Sequence, residues 1–283
     1  MPMSYQPRFP QLRELIAVYG ESTVGKTNCT ISMMRRMTDR HFHIFDNDAA
    51  YEMAIYEDDE RNKKIIDAQN FTIYPADFTD FADQVKAIAE VGDAVGPGEW
   101  GIFDLLDPVW ESEPAWYTEV FLGLDEREYR ASVRRALEEQ RQSATSKADQ
   151  KGGTPLFDRL RDYTYLNHEY FKAVYGTFDK INRNGGHVMC MAGSKIVKDN
   201  DDKEIRKRYG KLGARPASQK GLTKNVNTVL YLTWDGDDTW EMSTAKDRAS
   251  RLTDEKKLDE QPWNDFCTAY LSPVARWSMQ KVD

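Results

Sequence analysis

Short apolar runs alternate with amphipathic stretches along most of the chain. Residues 12–19 (LRELIAVY) become apolar toward their end and stop at Gly20, as a buried strand does. Residues 28–37 have helical spacing. A second apolar run at 41–45 ends on Asp46-Asn47-Asp48, and 49–55 open another helix. Runs at 71–74 and 100–103 end on Pro75 and Asp104. Between them, 78–91 repeat Phe81, Val85 and Ile88 at helical spacing, and the turn Gly96-Pro97-Gly98 follows. Trp110, Trp116 and Tyr117 read as packing under a long connection. Residues 125–142 are charged with a helical pattern, and 143–154 have the composition of a disordered segment. A helix is expected over 162–182, through Tyr165, Tyr170, Phe171, Val174 and Phe178. Residues 187–192 (HVMCMA) form a fifth strand, and 195–224 read as a polar, basic loop. The runs 228–234 and 239–244 flank Asp235-Gly236-Asp237-Asp238, which predicts a hairpin. Strands alternating with helices predict an α/β fold. Its sheet is mostly parallel and flanked by helices, with the hairpin as an antiparallel edge.

The segment between the first strand and the first helix carries candidate chemistry. Gly20-Glu21-Ser22-Thr23-Val24-Gly25-Lys26-Thr27 fits G-x-x-x-x-G-K-[ST] at every position. Successive N–H groups at a helix N-terminus form a nest for phosphate oxygens. Lys26 is placed to reach the β- and γ-phosphates, and the Thr27 hydroxyl to hold Mg²⁺. The nucleotide site is expected over Gly20, Glu21, Ser22, Thr23, Val24, Gly25, Lys26, Thr27 and Asn28.

Such a loop needs a carboxylate at the end of a neighbouring strand to hold the metal's water shell. Asp104, closing the run WGIFD, is the candidate, with Asp107 a weaker one three residues on. A further carboxylate is needed to orient an attacking water. Asp46 and Asp48 both close the second strand, and Asp48 stands further toward the carboxyl ends where ligands bind in open α/β sheets. Asp48 also suits the N-cap of the following helix. Glu52 and Asp107 stay open as alternatives.

Composition narrows the class. The chain has 283 residues, 40% hydrophobic and 30% charged, enough to bury a sizeable core. No apolar run approaches the roughly 18 residues of a membrane span, and residues 1–10 lack the apolar region of a secretory signal. Three cysteines, Cys29, Cys190 and Cys267, show neither a disulfide framework nor zinc spacing. A reducing, cytoplasmic setting is expected. The net charge of -8 argues against a globally basic binder, but residues 195–224 hold ten Lys/Arg against four acids.

Together GESTVGKT, IFDND, GIFD and Lys246-Asp247-Arg248 resemble the RecA-like P-loop ATPases, in particular the small phage ATPases associated with single-strand annealing recombination. The resemblance spans roughly 12–252. It implies one RecA-like domain over 1–283, with a charged insertion at 125–154 and a C-terminal extension at 253–283. It also implies ATP and Mg²⁺ as cofactors, and the absence of an N-K-x-D motif agrees with ATP over GTP. In the family the catalytic carboxylate lies two residues beyond an Asp at the second strand's end. Here that position is Asp48, where the family usually has Glu. Ser194 falls near the place of a γ-phosphate sensor that is often Gln. Lys246 and Arg248 resemble cations that reach a neighbouring subunit's nucleotide, which implies a homo-oligomer. The family's single-stranded-DNA loop corresponds to 195–224, where Arg206, Lys207, Arg208, Lys211 and Arg215 would meet phosphates and Tyr209 would offer a stacking face. The implied activity is a DNA-stimulated ATPase in recombination, annealing or repair, with single-strand-binding or recombination proteins as further partners. Two alternatives stay open: a packaging or helicase-like motor, and a slow nucleotide-dependent switch that recruits protein partners.

Overall fold

The computed structural model describes residues 13–57, 59–143, 159–234, 240–248 and 255–258. In chain order the elements are β1 (Leu15–Tyr19), α1 (Lys26–Arg36), β2 (Phe42–Asp46), α2 (Ala50–Tyr56), α3 (Asp59–Ala68), β3 (Phe71–Pro75), α4 (Phe81–Ala94), β4 (Trp100–Asp104), α5 (Leu106–Leu122) and α6 (Glu126–Ser143). Then come α7 (Arg159–Tyr170), a π-helical turn (Phe171–Tyr175), α8 (Gly176–Arg183), β5 (His187–Ala192), β6 (Ser194–Ile196), α9 (Lys203–Tyr209), β7 (Ala214–Pro216), α10 (Leu222–Asn225), β8 (Thr228–Trp234), β9 (Trp240–Asp247) and β10 (Glu255–Leu258).

The main sheet runs β10-β9-β8-β1-β5-β4-β2-β3. The pairs from β8 through β1, β5, β4 and β2 to β3 are parallel, whereas β8–β9 and β9–β10 are antiparallel. The expected α/β architecture with an antiparallel C-terminal edge is therefore present. β2, β4 and β5 are buried along their whole length. That is why they read as continuous apolar runs and not as alternating ones.

Strand alternation sorts their side chains into two cores. Ile16, Val18, Phe42, Ile44, Trp100, Ile102, Met189 and Met191 point to one face and meet α1, α2 and α3 through Met33, Tyr51 and Ile65. Ala17, Tyr19, Phe45, Phe103, Val188 and Cys190 point to the other. There they meet α4, α5, α7 and α8 through Ile88, Val109, Tyr170 and Phe178. The same alternation aims the residue after Phe45 (Asp46) and the residue after Phe103 (Asp104) at the α1 face. Register then sets Asp46 and Asp104 side by side.

Four features differ from the sequence expectations. The helix α3 was not expected. The long connection after Asp104 is the helix α5. Pro108 sits in its first turn, where no intrahelical N–H is lost, and Pro114 sits inside it. Those prolines mask the spacing of Leu106, Val109 and Tyr117, which face inward. The stretch 195–224 is not a loop but a folded lobe of β6, α9, β7 and α10. Its Tyr209 and Leu222 are buried, and Val197, Ile205 and Leu212 pack against the same core. Lastly, β10 adds a third antiparallel strand within the expected C-terminal extension. The expected turn at 235–238, most of the low-complexity segment 143–154, the rest of the extension and Cys267 lie outside the described residues.

Glu113 of α5 is fully buried, and burial pushes its carboxyl up to about 8, with the Tyr170 backbone N–H pulling the other way. The folded protein thus keeps a proton that the unfolded chain gives up at an ordinary glutamate pKa. The associated stability is complete below that ordinary value and is lost as pH rises through about 8. Thermal denaturation is expected to show a falling midpoint across that interval. In Glu113→Gln, which keeps the neutral shape, the fall should be smaller.

Candidate functional site

The loop between β1 and α1 lies at the carboxyl ends of the parallel strands. Gly25 has φ 92°, the left-handed backbone that lets the loop turn directly into α1. No side chain caps α1, and no acidic residue lies in its first turn, so no residue of the helix itself offsets the partial positive charge at its start. Glu21, Ser22 and Thr23 are exposed, Val24 and Lys26 are buried, and Gly25, Thr27 and Asn28 are half-buried. The Lys26 ammonium donates to Gly20 O at 3.1 Å and Glu21 O at 2.6 Å, so it is curled back onto its own loop. Burial lowers its pKa, and the Asp104, Asp107 and Asp48 carboxylates oppose that shift.

Asp104 is 1% exposed, and its Oδ2 accepts from the Thr27 hydroxyl at 2.9 Å. The two residues expected to hold a metal's shell are therefore in direct contact. Burial raises Asp104 to about 7, with Asp48 raising it further and Thr27 and Lys26 lowering it. An ionised carboxylate is costly there unless a cation joins it. An uncapped helix start, a lysine on neutral carbonyls and a Thr–Asp pair beside it make a donor set that fits a Mg²⁺-bound nucleotide.

Asp46 and Asp48 divide the roles that the sequence left open. Asp46 is buried, and its two oxygens accept from the Ala50 and Tyr51 backbone N–H groups at 3.2 and 3.1 Å. It therefore caps α2, the task offered for Asp48. Burial moves Asp46 up to about 6, its two helix N–H bonds holding it down and Asp48 pushing it up. Asp48 is exposed at the mouth, within electrostatic reach of Lys26, Asp46 and Asp104. Glu52 is exposed in the first turn of α2. Asp107 is engaged elsewhere: its Oδ2 accepts from Gly193 N at 2.6 Å, and burial raises it to about 6. Ser194 follows directly, half-buried at the start of β6.

Lys246 lies within β9 and not beyond it, paired with Val229. Its ammonium donates to the carbonyls of Thr223 and Val226. Burial lowers it to about 8, helped by Arg248 and Arg208. Arg248 is exposed and donates to Asn227 Oδ1 at 3.2 Å and Lys224 O at 3.3 Å. Both cations thus rest on the 223–227 segment of their own chain, and Arg208 of the lobe is close enough to act on Lys246.

The lobe presents Arg206, Lys207, Arg208 and Lys211 to solvent. Arg215 is half-buried and pairs with Asp201 at 3.7 Å, so it braces the lobe from within. Tyr209 does not offer a stacking face. It is buried, its ring packs edge-on against Tyr19 at 6.1 Å, and its hydroxyl bonds Thr223. Tyr19, the last residue of β1, stacks on Tyr231 and donates to Ala214 O at 3.1 Å. Sequence reasoning missed this anchor because nothing in the spacing of Tyr19 distinguishes it from other strand residues. Among the described residues, no group of three or more metal-ligating side chains forms a site of its own, and no helix is long and apolar enough to cross a membrane. Cys29 and Cys190 are buried.

No protein-family model and no curated protein matches the chain. Among solved structures it is similar to one described as the crystal structure of the RadB recombinase, with a TM-score of 0.49 and 12% identity, covering 89% of this chain and 90% of that one. A likeness at this level transfers no residue's role.

Two outcomes are expected. Asp46→Ala removes the cap of α2 and should cost about 1 kcal/mol in chemical denaturation, whereas Asp48→Ala, at an exposed position, should stay within about 0.5 kcal/mol. Lys26→Ala should weaken binding of a fluorescent ATP analogue about 100-fold in equilibrium titration, since charged hydrogen bonds contribute roughly 1.5–3 kcal/mol each.

Proposed function

We propose that this protein binds and hydrolyses Mg·ATP and couples hydrolysis to single-stranded DNA in recombination, annealing or repair. The observation that carries the reading is the 2.9 Å bond between Thr27 and Asp104, beside a buried Lys26 at an uncapped helix start. Bound Mg·ATP would supply the phosphoryl group and the divalent charge that polarises it. Lys26 would exchange its two loop carbonyls for phosphate oxygens. Thr27 and Asp104 would hold the metal and its water shell. Asp48, exposed at the mouth, would orient the attacking water and accept its proton. Ser194 would report the state of the γ-phosphate to the lobe that it opens.

The DNA side of the reading rests on the lobe's outward cations. Arg206, Lys207, Arg208 and Lys211 would contact phosphates, a mode that is sequence-independent and weakened by salt. Arg215 would support them from inside the lobe. Lys246 and Arg248 would leave the 223–227 carbonyls to complete a neighbouring subunit's site, which makes a homo-oligomer the active form.

Their present attachment favours a second reading, a slow nucleotide-dependent switch. An isolated subunit holds both cations on its own main chain. Asp48, shorter than the Glu usual in the resembled family, also suits slow turnover.

The test is the steady-state ATPase rate with and without single-stranded DNA at two salt concentrations. Stimulation that fades with salt and vanishes in Lys26→Ala is expected. Charge reversal of Arg206, Lys207 and Arg208 together should abolish stimulation and leave nucleotide binding intact. Tight ATP binding with no DNA response would overturn the DNA-coupled reading and leave the switch.

A further inference from the structure

Asp107 stands in the first turn of α5, three residues beyond Asp104. One oxygen accepts from Gly193 N at 2.6 Å, while the other is buried with no hydrogen-bond partner. Gly193 is the single residue between β5 and β6. Its carbonyl accepts from Ala217 N at 2.8 Å, which ties the far end of β7 to the same point. A Cβ at Gly193 would lie 2.5 Å from Asp107 Oδ2, so the close approach depends on glycine here. One helical turn further on, Glu111 pairs with Lys195 of β6 at 3.7 Å. The helix that begins beside the Thr27–Asp104 pair therefore grips the base of the basic lobe at two places, and the buried grip is Asp107.

We propose that Asp107 is a positioning residue that couples the phosphate loop to the basic lobe through its hydrogen bond to Gly193. This inference rests on the reading of the loop as a nucleotide site. The coupling is mechanical. Asp104 closes β4 and Asp107 lies three residues on in the first turn of α5, so a displacement at Thr27 and Asp104 is passed to Asp107 through a single linking residue and the helix start. Gly193 follows Asp107, and Ser194 and the β6–β7 pair follow Gly193. The unpartnered second oxygen leaves the carboxylate under-satisfied, so a second arrangement of the β5 end that supplies another donor lies within easy reach. Coupling of this kind is reciprocal: whatever occupies the loop shifts the lobe, and whatever holds the lobe shifts the affinity of the loop. The groups facing Asp107 are Gly193 N, Lys195 of β6, Lys26 of α1 and Glu111 of its own helix. None of the cations among them donates a hydrogen bond to its free oxygen.

The lobe exposes Lys203, Arg206, Lys207, Arg208 and Lys211, so limited trypsin digestion reads its state directly. The experiment compares cleavage there with and without a non-hydrolysable Mg·ATP analogue, alongside titration of a fluorescent analogue. In the wild type, the analogue is expected to change the cleavage rate at least threefold. Asp107→Ala should bind the analogue yet lose the change, and Asp107→Asn, which keeps an acceptor for Gly193 N, should retain it. That rescue separates a positioning role from a general loss of stability. Where Asp107→Ala fails to fold, Gly193→Ala forces the same contact apart and takes its place. A full nucleotide-dependent change in Asp107→Ala overturns the inference and leaves Tyr19 as the route to the lobe. Analogue binding to the wild type without any change in cleavage overturns it alone. No analogue binding to the wild type overturns the nucleotide reading and this inference with it.

Discussion

The hydrogen bond from Thr27 to Asp104 joins parts of the chain that are far apart in sequence, and the rest of the site is arranged around it. β5 is interposed between β1 and β4, so the bond spans from the start of α1, which follows β1, to the end of β4. It also requires strand alternation to aim Asp104 at the α1 face. The result is a carboxylate with almost no access to water, beside a second buried carboxylate and near an exposed third. Burial raises the pKa of both Asp46 and Asp104, Asp48 raises them further, and one lysine on neutral carbonyls does not cancel that. A cation placed among these carboxylates favours their ionised forms.

The parallel strands, the turn from β1 into α1 and the contact of Asp104 with Thr27 were legible because each rests on a local signal. β2, β4 and β5 are mainly apolar runs buried on both faces, and the loop is a motif whose glycine and lysine positions follow from backbone geometry. Asp46 and Asp48 were not separable, since both stand at the end of one strand. Only the three-dimensional path of the following turn decides which of them reaches the N–H groups of Ala50 and Tyr51. The helix α5 was hidden by Pro108 and Pro114, which act as breakers in a linear reading but are accommodated in this helix. The lobe was hidden by its charge. Its hydrophobic residues, Ile205, Tyr209, Leu212 and Leu222, are spaced across short elements that owe their stability to contact with Tyr19 and the main sheet. Tertiary burial, not local propensity, makes them ordered.

The lobe is thus less a separate module than an outgrowth of the sheet's carboxyl end. Tyr19 enters it from β1, Gly193 leads into it from β5, and α10 returns the chain to β8. Its outer surface is cationic while its inner surface is aromatic and apolar. The Arg215–Asp201 and Lys220–Asp202 pairs, both at 3.7 Å, tie the lobe's own side chains together on that base. Arg206, Lys207 and Arg208, in the last turn of α9, also complement that helix's dipole.

Lys246 and Arg248 are held by peptide and amide oxygens, which are neutral acceptors. The contrast with a salt bridge matters. A cation bound to a carboxylate must give up a charged partner before it serves another, whereas one bound to carbonyls gives up only dipoles. Those bonds are charge-assisted on the donor side alone, because their acceptors are neutral oxygens. The two side chains are already ordered and, for Lys246, already partly stripped of water. The protein therefore keeps at its surface a pair of positive charges that is restrained in geometry yet uncommitted in charge.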